Sequence, residues 1–169
     1  MIDFISIPEV RLKKLKSSRK LIEKLQKLIE VVVVLREEVS IESEDPIQVM
    51  KAKEVIKAYG RGFDFESALY LLDDDYILHV INITDFSGKS SSRLETLRGR
   101  IIGSEGKTKN ILEKLADVKL SVYGKTVSII GRWDSIGIVR EAICMLLEGR
   151  KHGGVYKFLE DNMKSKNKP

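Results

Sequence analysis

The sequence predicts an α+β protein made of two consecutive copies of one unit, each in the order strand, helix, helix, strand, strand, helix. Apolar residues alternate in some segments and recur at helical spacing in others. This order of segments begins near residue 2 and again near residue 76. Glycine, proline and helix-capping residues separate the segments. A chain of 169 residues has room for two small domains.

The first copy is predicted within residues 1–62. Pro8 ends the first strand, Asp45 caps the last helix, Pro46 occupies its first turn and Gly60 follows its end. The predicted segments are a strand at 2–7, two short helices between Val10 and Ile29, a hairpin with strands at 31–36 and 39–41, and a helix at 46–59. Residues 63–74 are predicted to form a linking helix and a turn.

The second copy is predicted within residues 75–150, and Asp134 is expected to cap its last helix. The predicted segments are a strand at 76–83, a helix at 93–102, a turn at 103–106, a helix at 107–116, strands at 118–123 and 126–131, and a helix at 135–148. Residues 151–169 are predicted to be a C-terminal extension with one short helix or turn and a solvated tail.

Charge and cysteine content narrow the classes of function. Residues 1–84 carry 13 basic and 15 acidic side chains, whereas residues 85–169 carry 17 and 10. The positive second half favours a nucleic-acid partner. Cys144 is the single cysteine, so an internal disulfide and a cysteine-rich zinc site are excluded. With neither an export signal nor an apolar run long enough for a membrane span, we expect a cytoplasmic protein without a metal or cofactor.

The most informative motif is the loop 103–106 between two predicted helices. Its glycines allow a sugar-phosphate chain to approach the backbone, and the following helix presents free amides to phosphate. The loop and its context resemble a KH domain, which binds single-stranded nucleic acid. The resemblance predicts these RNA-binding residues: Arg98, Arg100, Ile101, Ile102, Gly103, Ser104, Glu105, Gly106, Lys107 and Lys109. Glu105 departs from the family pattern, in which a basic or neutral residue is usual.

The first copy lacks this loop. An offset of 87 residues places the segment 16–19, Lys-Ser-Ser-Arg, opposite the two glycines. We therefore expect a degenerate KH fold whose backbone cannot approach phosphate as closely. Its basic helical segment has two interpretations, a solvated helix face or an auxiliary RNA contact. The auxiliary contact would involve Lys13, Lys16, Arg19 and Lys20.

A longer succession of motifs extends the resemblance to about residues 1–160. The motifs are Ala58–Phe63, Ser67–Asp73, Gly99–Gly103, Val122–Val127, Ile129–Gly131, Glu148-Gly149, His152-Gly153 and Val155-Tyr156. This succession resembles the KH-domain ribosome-assembly factors called Partner of Nob, in their short archaeal form. The resemblance implies two KH folds, of which the second has the glycine loop. It also implies three partners: small-subunit ribosomal RNA near its 3′ end, the Nob endonuclease and the α subunit of translation initiation factor two.

The leading interpretation is a non-enzymatic adaptor that binds single-stranded RNA during small-subunit assembly. Two alternatives are a protein scaffold whose KH folds have lost RNA affinity and a general RNA-binding partner of a translation factor. An enzyme would need converging carboxylates or a phosphate-binding P-loop. The candidate P-loops at 106–108 and 88–90 have isoleucine, at 101 and 83, where that motif requires glycine.

Overall fold

The computed structural model describes residues 1–168 and contains two compact units. The first unit is Met1–Asp74 and the second begins at Asp75. Each unit contains one three-stranded antiparallel sheet, with strand order β1-β3-β2 in the first and β4-β6-β5 in the second. In both sheets the last strand in sequence therefore lies in the centre.

The first unit follows the expected order of elements. Its elements are β1 (Ile2–Ile5), α1 (Glu9–Ser17), α2 (Arg19–Leu28), β2 (Val32–Leu35), β3 (Val39–Glu42), α3 (Pro46–Gly60) and α4 (Phe65–Ala68), followed by a 3-10 turn at Leu69–Leu72. The Asp45 carboxylate accepts a hydrogen bond from the Ile47 amide, so the predicted cap of α3 is present. One face of the sheet is buried through Val33, Val39 and Ile41.

The second unit has the same order of main elements with two additions. Its elements are β4 (Tyr76–Asn82), α5 (Thr84–Ser87), α6 (Ser91–Ile102), a 3-10 turn (Ser104–Gly106), α7 (Lys107–Ala116), β5 (Lys119–Tyr123), β6 (Thr126–Arg132), α8 (Ile136–Leu147) and α9 (His152–Lys166). Ile101, Leu112, Ile129 and Ile143 are fully buried in one apolar cluster. This core joins the helices to the sheet.

Helix α9 is longer than the sequence pattern indicated. It covers all of residues 152–163, where a short helix or turn was expected, and continues to Lys166 in the segment 164–169, which was expected to be a solvated tail. Val155, Leu159 and Met163 recur every fourth residue and are buried in the core of the second unit. The sequence pattern indicated only a short helix or turn, because the Gly153-Gly154 pair in the first turn has a low helix propensity. The C-terminal extension is therefore an integral part of this unit.

Two other local features differ from the prediction. The short helix α5 was not predicted, and the expected cap of α8 was wrong. Asp134 does not cap α8, whose N-cap is Ser135 without a side-chain hydrogen bond. The Asp134 carboxylate instead lies 3.3 Å from the Lys166 ammonium and 3.9 Å from the Arg132 guanidinium.

Three features concern membrane spans, metal sites and the cysteine thiol. Within residues 1–168, no helix has the length and apolarity needed to cross a bilayer. Over the same residues, no three His, Cys, Asp or Glu side chains are grouped in a way that could hold a metal ion. Burial raises the pKa of the half-buried Cys144 thiol, which favours its protonated form.

Candidate nucleic-acid interface

The loop between α6 and α7 reverses the chain through residues with left-handed backbone angles. The φ angles are 74° at Gly103, 55° at Glu105 and 77° at Gly106. The Gly103 amide donates to the Gly99 carbonyl at 2.8 Å, and the Gly106 amide donates to the Gly103 carbonyl at 3.2 Å. These bonds make the turn compact. Helix α7 therefore begins directly after Gly106.

The two glycines are required for different reasons. A Cβ atom at Gly103 would lie 2.4 Å from Thr108 Oγ1 and 2.6 Å from the Thr108 nitrogen. A Cβ atom at Gly106 would have no heavy atom within 4 Å. Gly103 thus allows the loop to pack on α7, whereas the side of the loop at Gly106 is open to a ligand.

The start of α7 is suited to an anion. Its N-cap, Gly106, has no side chain to satisfy the amides of the first turn. The Lys107 amide donates to the Ser104 carbonyl, and no side chain caps the other amides of this turn. Amides at a helix start and the helix dipole attract phosphate. The exposed Lys107 adds a positive charge at this position. Phosphate binding is therefore favoured at the point where the open side of the loop meets the helix.

Helix α9 contacts the residues on either side of the glycine loop. The Tyr156 hydroxyl donates to Thr108 Oγ1 at 3.2 Å, and Thr108 is the residue against which Gly103 packs. His152 Nε2 lies 2.9 Å from the Arg100 carbonyl, in the last turn of α6. The C-terminal helix therefore contacts the chain on both sides of the glycine loop.

Arg100 is held by the protein. Its Nε donates to the Leu146 carbonyl at 2.8 Å, and a terminal nitrogen donates to the Arg150 carbonyl. A cation therefore pairs with one carbonyl in the last turn of α8 and with one just after the helix, which is favourable at a helix C-terminus. Arg100 thus connects α6 to the end of α8, and its guanidinium is not a freely moving group on the surface.

A shallow cleft of about 540 Å³ adjoins the loop on the side of α9. Most of the side chains around it can form hydrogen bonds. The lining residues are Thr96, Gly99, Arg100, Gly103, Ser104, Lys107, Thr108, His152 and Tyr156. Of these, Thr96, Gly99, Thr108, His152 and Tyr156 were not assigned to the site from the sequence.

The other predicted residues lie in different environments. Ile101 is fully buried, so its side chain supports α6 from within the core and cannot contact a base. Ile102 is half-buried, and Ser104 and Glu105 are exposed. Arg98 is half-buried and pairs with Glu95 at 3.2 Å.

Lys109 belongs to a bridge between α7 and the sheet. Its ammonium lies 3.1 Å from one Glu113 oxygen, and the other Glu113 oxygen accepts a hydrogen bond from the Leu120 amide at 3.2 Å. Leu120 lies in β5, an edge strand of the second sheet. The bridge therefore fixes α7 relative to the edge of β5, and Lys109 is already paired within the protein.

The corresponding turn in the first unit is different. Only Ser18 separates α1 from α2, with a φ of −123°, and no residue within 1–61 has a positive φ. The two helices carry eight basic and two acidic residues. Lys16, Arg19 and Lys20 are exposed. Lys13 forms an exposed ion pair with Glu9 at 3.0 Å and lowers the pKa of that carboxyl.

Tyr156→Phe tests whether α9 positions the loop. Losing one hydrogen bond typically costs about 0.5–1.5 kcal/mol, so we expect RNA affinity to fall about two- to tenfold. Hydrogen exchange of amides 103–108 should become faster because the loop is less well held. The matched control is Thr108→Val, which removes the same bond from its other end. If the effects of the two substitutions add in the double variant, the contact does not couple α9 to the loop.

The chain matches known proteins over both units. Residues 77–164 match the eukaryotic-type KH-domain family, KH-domain type I. The crystal structure of Dim2p from Pyrococcus horikoshii aligns with this chain with a TM-score of 0.85. Its sequence is 37% identical to this one, and the alignment covers 95% of this chain and 99% of that chain. The chain belongs to the PNO1/Dim2 family of KH-domain proteins. The resemblance to Partner of Nob is thereby confirmed.

Two curated relatives are similar to this chain over part of their sequences. A KH domain-containing protein of Methanocaldococcus jannaschii is 46% identical over 116 residues, which are 69% of this chain and 51% of that protein. The pre-rRNA-processing protein pno1 of Aspergillus fumigatus is 34% identical over 110 residues, 64% of this chain and 44% of that protein. The matched part of the chain thus spans about half the length of these curated relatives.

A second solved structure of the Pyrococcus horikoshii protein is described as a complex of a/eIF2alpha, aDim2p and rRNA. It is 37% identical to this chain, covers 98% of this chain and 95% of that chain, and has a TM-score of 0.87.

Proposed function

We propose that this protein binds single-stranded RNA with its second unit and acts in small-subunit ribosomal RNA maturation near the 3′ end. The glycine loop is the observation that carries the proposal. It joins an open backbone at Gly106, a start of α7 without a side-chain cap and an exposed Lys107. A relative solved in a complex with rRNA supports the choice of RNA.

In the proposed mechanism, one surface binds the phosphates of the RNA and another recognises its bases. Phosphates bind at Gly106 and the first turn of α7, because amides and the helix dipole favour negative charge there. Bases lie beside the half-buried Ile102 and the edge of β5, where backbone polar groups other than the occupied Leu120 amide can form hydrogen bonds with them. The bridge through Glu113 keeps these two surfaces at a constant separation.

We assign the first unit to a second, degenerate KH copy at residues 1–62, joined by residues 63–74 to the copy at 75–150. The shared element order and the sheet orders β1-β3-β2 and β4-β6-β5 support this assignment. A turn without glycine cannot bring its backbone as close to phosphate. The first copy therefore contributes electrostatic affinity through side chains such as Lys16 and Arg19.

The proposed partners follow from the relatives. They are small-subunit rRNA and the α subunit of translation initiation factor two, since rRNA and a/eIF2alpha are named in the solved complex of a relative. The third proposed partner, the Nob endonuclease, is implied by the sequence resemblance alone. The role is that of an adaptor in the cytoplasm, and RNA cleavage belongs to the endonuclease. One observation favours a protein scaffold without RNA affinity: the exposed carboxylate of Glu105 within the loop.

Two oligonucleotides and one variant test the function and the division between copies. One RNA matches the small-subunit 3′ end and the other is its scrambled sequence. We expect the wild type to prefer the matching RNA. Replacing Lys13, Lys16, Arg19 and Lys20 with glutamine should weaken binding of both RNAs about equally, because phosphate contacts carry no sequence information. Up to four lost contacts should reduce the salt-dependence slope by up to about 3.

The possible results distinguish the interpretations. No salt-dependent RNA binding by the wild type would favour the protein scaffold. Loss of preference in the four-site variant would show that the first copy reads bases. Metal-dependent cleavage of the RNA by the purified protein would contradict the adaptor role.

A further inference from the structure

Helix α7 carries an ion pair on the side that faces the edge of the second sheet. Lys109 follows the N-cap Gly106 by three residues and Glu113 follows Lys109 by four, so the three positions share one stripe of the helix. The Glu113 carboxylate ends this stripe at the Leu120 amide of β5. The pair therefore lies between the open side of the glycine loop and the strand edge beside which bases are proposed to lie.

The first unit shows what the contact with the strand edge requires by itself. The Gln26 side-chain oxygen accepts a hydrogen bond from the Val33 amide at 2.8 Å. Positions 26 and 33 lie 87 residues before the two members of the α7 contact, the offset that aligns the two units. Glu113 makes the same contact with Leu120 at 3.2 Å. A neutral carbonyl oxygen is thus enough to hold an edge strand.

The charges on α7 therefore need another explanation. By the same offset Lys109 corresponds to Ile22, which is buried in the first unit. The second unit thus has an ion pair where the first has an amide and an apolar side chain, although the strand contact does not require charge. Ion pairs of this spacing stabilise a helix only slightly. Stability does not account for the pair, whereas its position beside the proposed base site points to recognition.

Both members of the pair keep hydrogen-bonding capacity. An ammonium has three donors and a carboxylate has about four acceptor sites. Lys109 uses one donor on Glu113, and the carboxylate uses one site for Lys109 and one for the Leu120 amide. The two side chains are 33% and 20% exposed, so both are partly desolvated and still reach solvent. Hydrogen bonds are selective in such a place, because an unmatched polar group costs free energy.

The order of donor and acceptor groups selects a base. The stripe offers a donor at Lys109 followed by two acceptor oxygens at Glu113. The Watson–Crick edge of guanine has the complementary order, in which the O6 acceptor is followed by the N1–H and N2–H donors. Adenine, cytosine and uracil each have one donor group on this edge, so each leaves part of the carboxylate unmatched. Guanine therefore fits the pair best.

We propose that Lys109 and Glu113 read a guanine in the single-stranded RNA bound by the second unit. The Lys109 ammonium donates to guanine O6, and the Glu113 carboxylate accepts from N1–H and N2–H while it keeps the Leu120 amide. The inference rests on the proposed function, which supplies the RNA. It adds a base preference and the two side chains that determine it.

Short oligouridine RNAs that differ only in one central base test the preference with the full chain. We expect guanine at this position to bind roughly 5- to 100-fold more tightly than adenine, as other side-chain contacts to base edges do. Inosine lacks the N2 amino group and should bind more weakly than guanine. The analogue 7-deazaguanine lacks only N7 and should bind like guanine, because the proposed contacts lie on the Watson–Crick edge.

Glu113→Gln tests the acceptor. It keeps an oxygen for the Leu120 amide, as Gln26 does for Val33, so its unfolding midpoint should match that of the wild type. Its preference for guanine over adenine should fall to within about threefold, because an amide oxygen alone cannot accept from both guanine donors in place of a carboxylate. The matched control is Glu160→Gln, which breaks the pair with Lys164 at the same spacing on α9 and should leave the preference unchanged.

Lys109→Met tests the donor and remains informative if Glu113→Gln impairs folding. The contact between Glu113 and Leu120 does not involve the Lys109 ammonium, so it stays in place. The preference for guanine should fall because the bond to O6 is lost. The salt dependence of binding should remain that of the wild type, because a contact with a base releases no counterion.

Five results would overturn the inference. They are equal wild-type affinity for the guanine and adenine probes, equal affinity for the guanine and inosine probes, an unchanged preference in either test variant, an equal loss in Glu160→Gln, and a smaller salt dependence in Lys109→Met with equal losses for all probes. The last result would make Lys109 a phosphate contact. A wild type that binds none of the probes would refute the proposed RNA binding itself, which separates that failure from the loss of base preference alone.

Discussion

Gly103→Ala is expected to destabilise the second unit by about 2–5 kcal/mol, from strained backbone angles and a steric clash. Gly103 has φ 74° and ψ 174°, a combination that is essentially restricted to glycine. Its new methyl group would also lie 2.4 Å from Thr108 Oγ1. RNA affinity should fall as well, because relief of the clash displaces the start of α7 and its amides.

The matched control is Gly106→Ala. Gly106 has a similar φ of 77° but no atom within 4 Å of a Cβ position, so only the left-handed backbone penalty of about 1–2 kcal/mol applies. Far-UV circular dichroism during a urea titration measures the loss of stability in each variant. Equal losses for the two variants would refute the packing role assigned to Gly103.

The second large effect concerns charge in the loop. The double variant Ser104→Asp/Glu105→Asp should lose roughly tenfold or more in RNA affinity, because a new carboxylate lies next to the phosphate-binding amides. Stability should remain close to that of the wild type, because both side chains are exposed and aspartate tolerates the left-handed φ of 55° at position 105.

A second variant isolates the charge. Ser104→Asn/Glu105→Asp has nearly the same side-chain sizes and the net charge of the wild type. Its RNA affinity should remain within about threefold of the wild type, and high salt should narrow the difference between the two variants. If both variants bind RNA as tightly as the wild type, the glycine loop is not the phosphate site.

Local patterns predicted most of the fold. Apolar alternation, together with the turn residues between segments, identified the six strands. Apolar spacing identified helices such as α3 and α7 to within a few residues. Helix α9 was underestimated because its glycine pair lowers local propensity, although buried side chains at Val155 and Leu159 stabilise it. Packing against the core is a tertiary effect, so local propensity alone could not show the full length of this helix.

The candidate site was predicted only in part for a similar reason. The motif predicted that loop residues such as Ser104 and Glu105 belong to the site, and both are exposed on the surface. Tyr156 comes near the loop only through folding, 48 residues away in sequence from Thr108. Arg100 was assigned to RNA because it is basic and close to the loop. No sequence pattern showed that carbonyls of α8 and the residues after it would hold its guanidinium.

The Glu113 bridge also affects how the protein behaves in concentrated solution. An edge strand such as β5 presents unpaired amides, and another chain can add to it as an extra strand, which starts aggregation. The Leu120 amide is already occupied by a carboxylate, and Lys119 beside it is exposed. Charged groups at an edge oppose the approach of a further strand. The same carboxylate that sets the position of α7 therefore protects the second unit from edge-to-edge association.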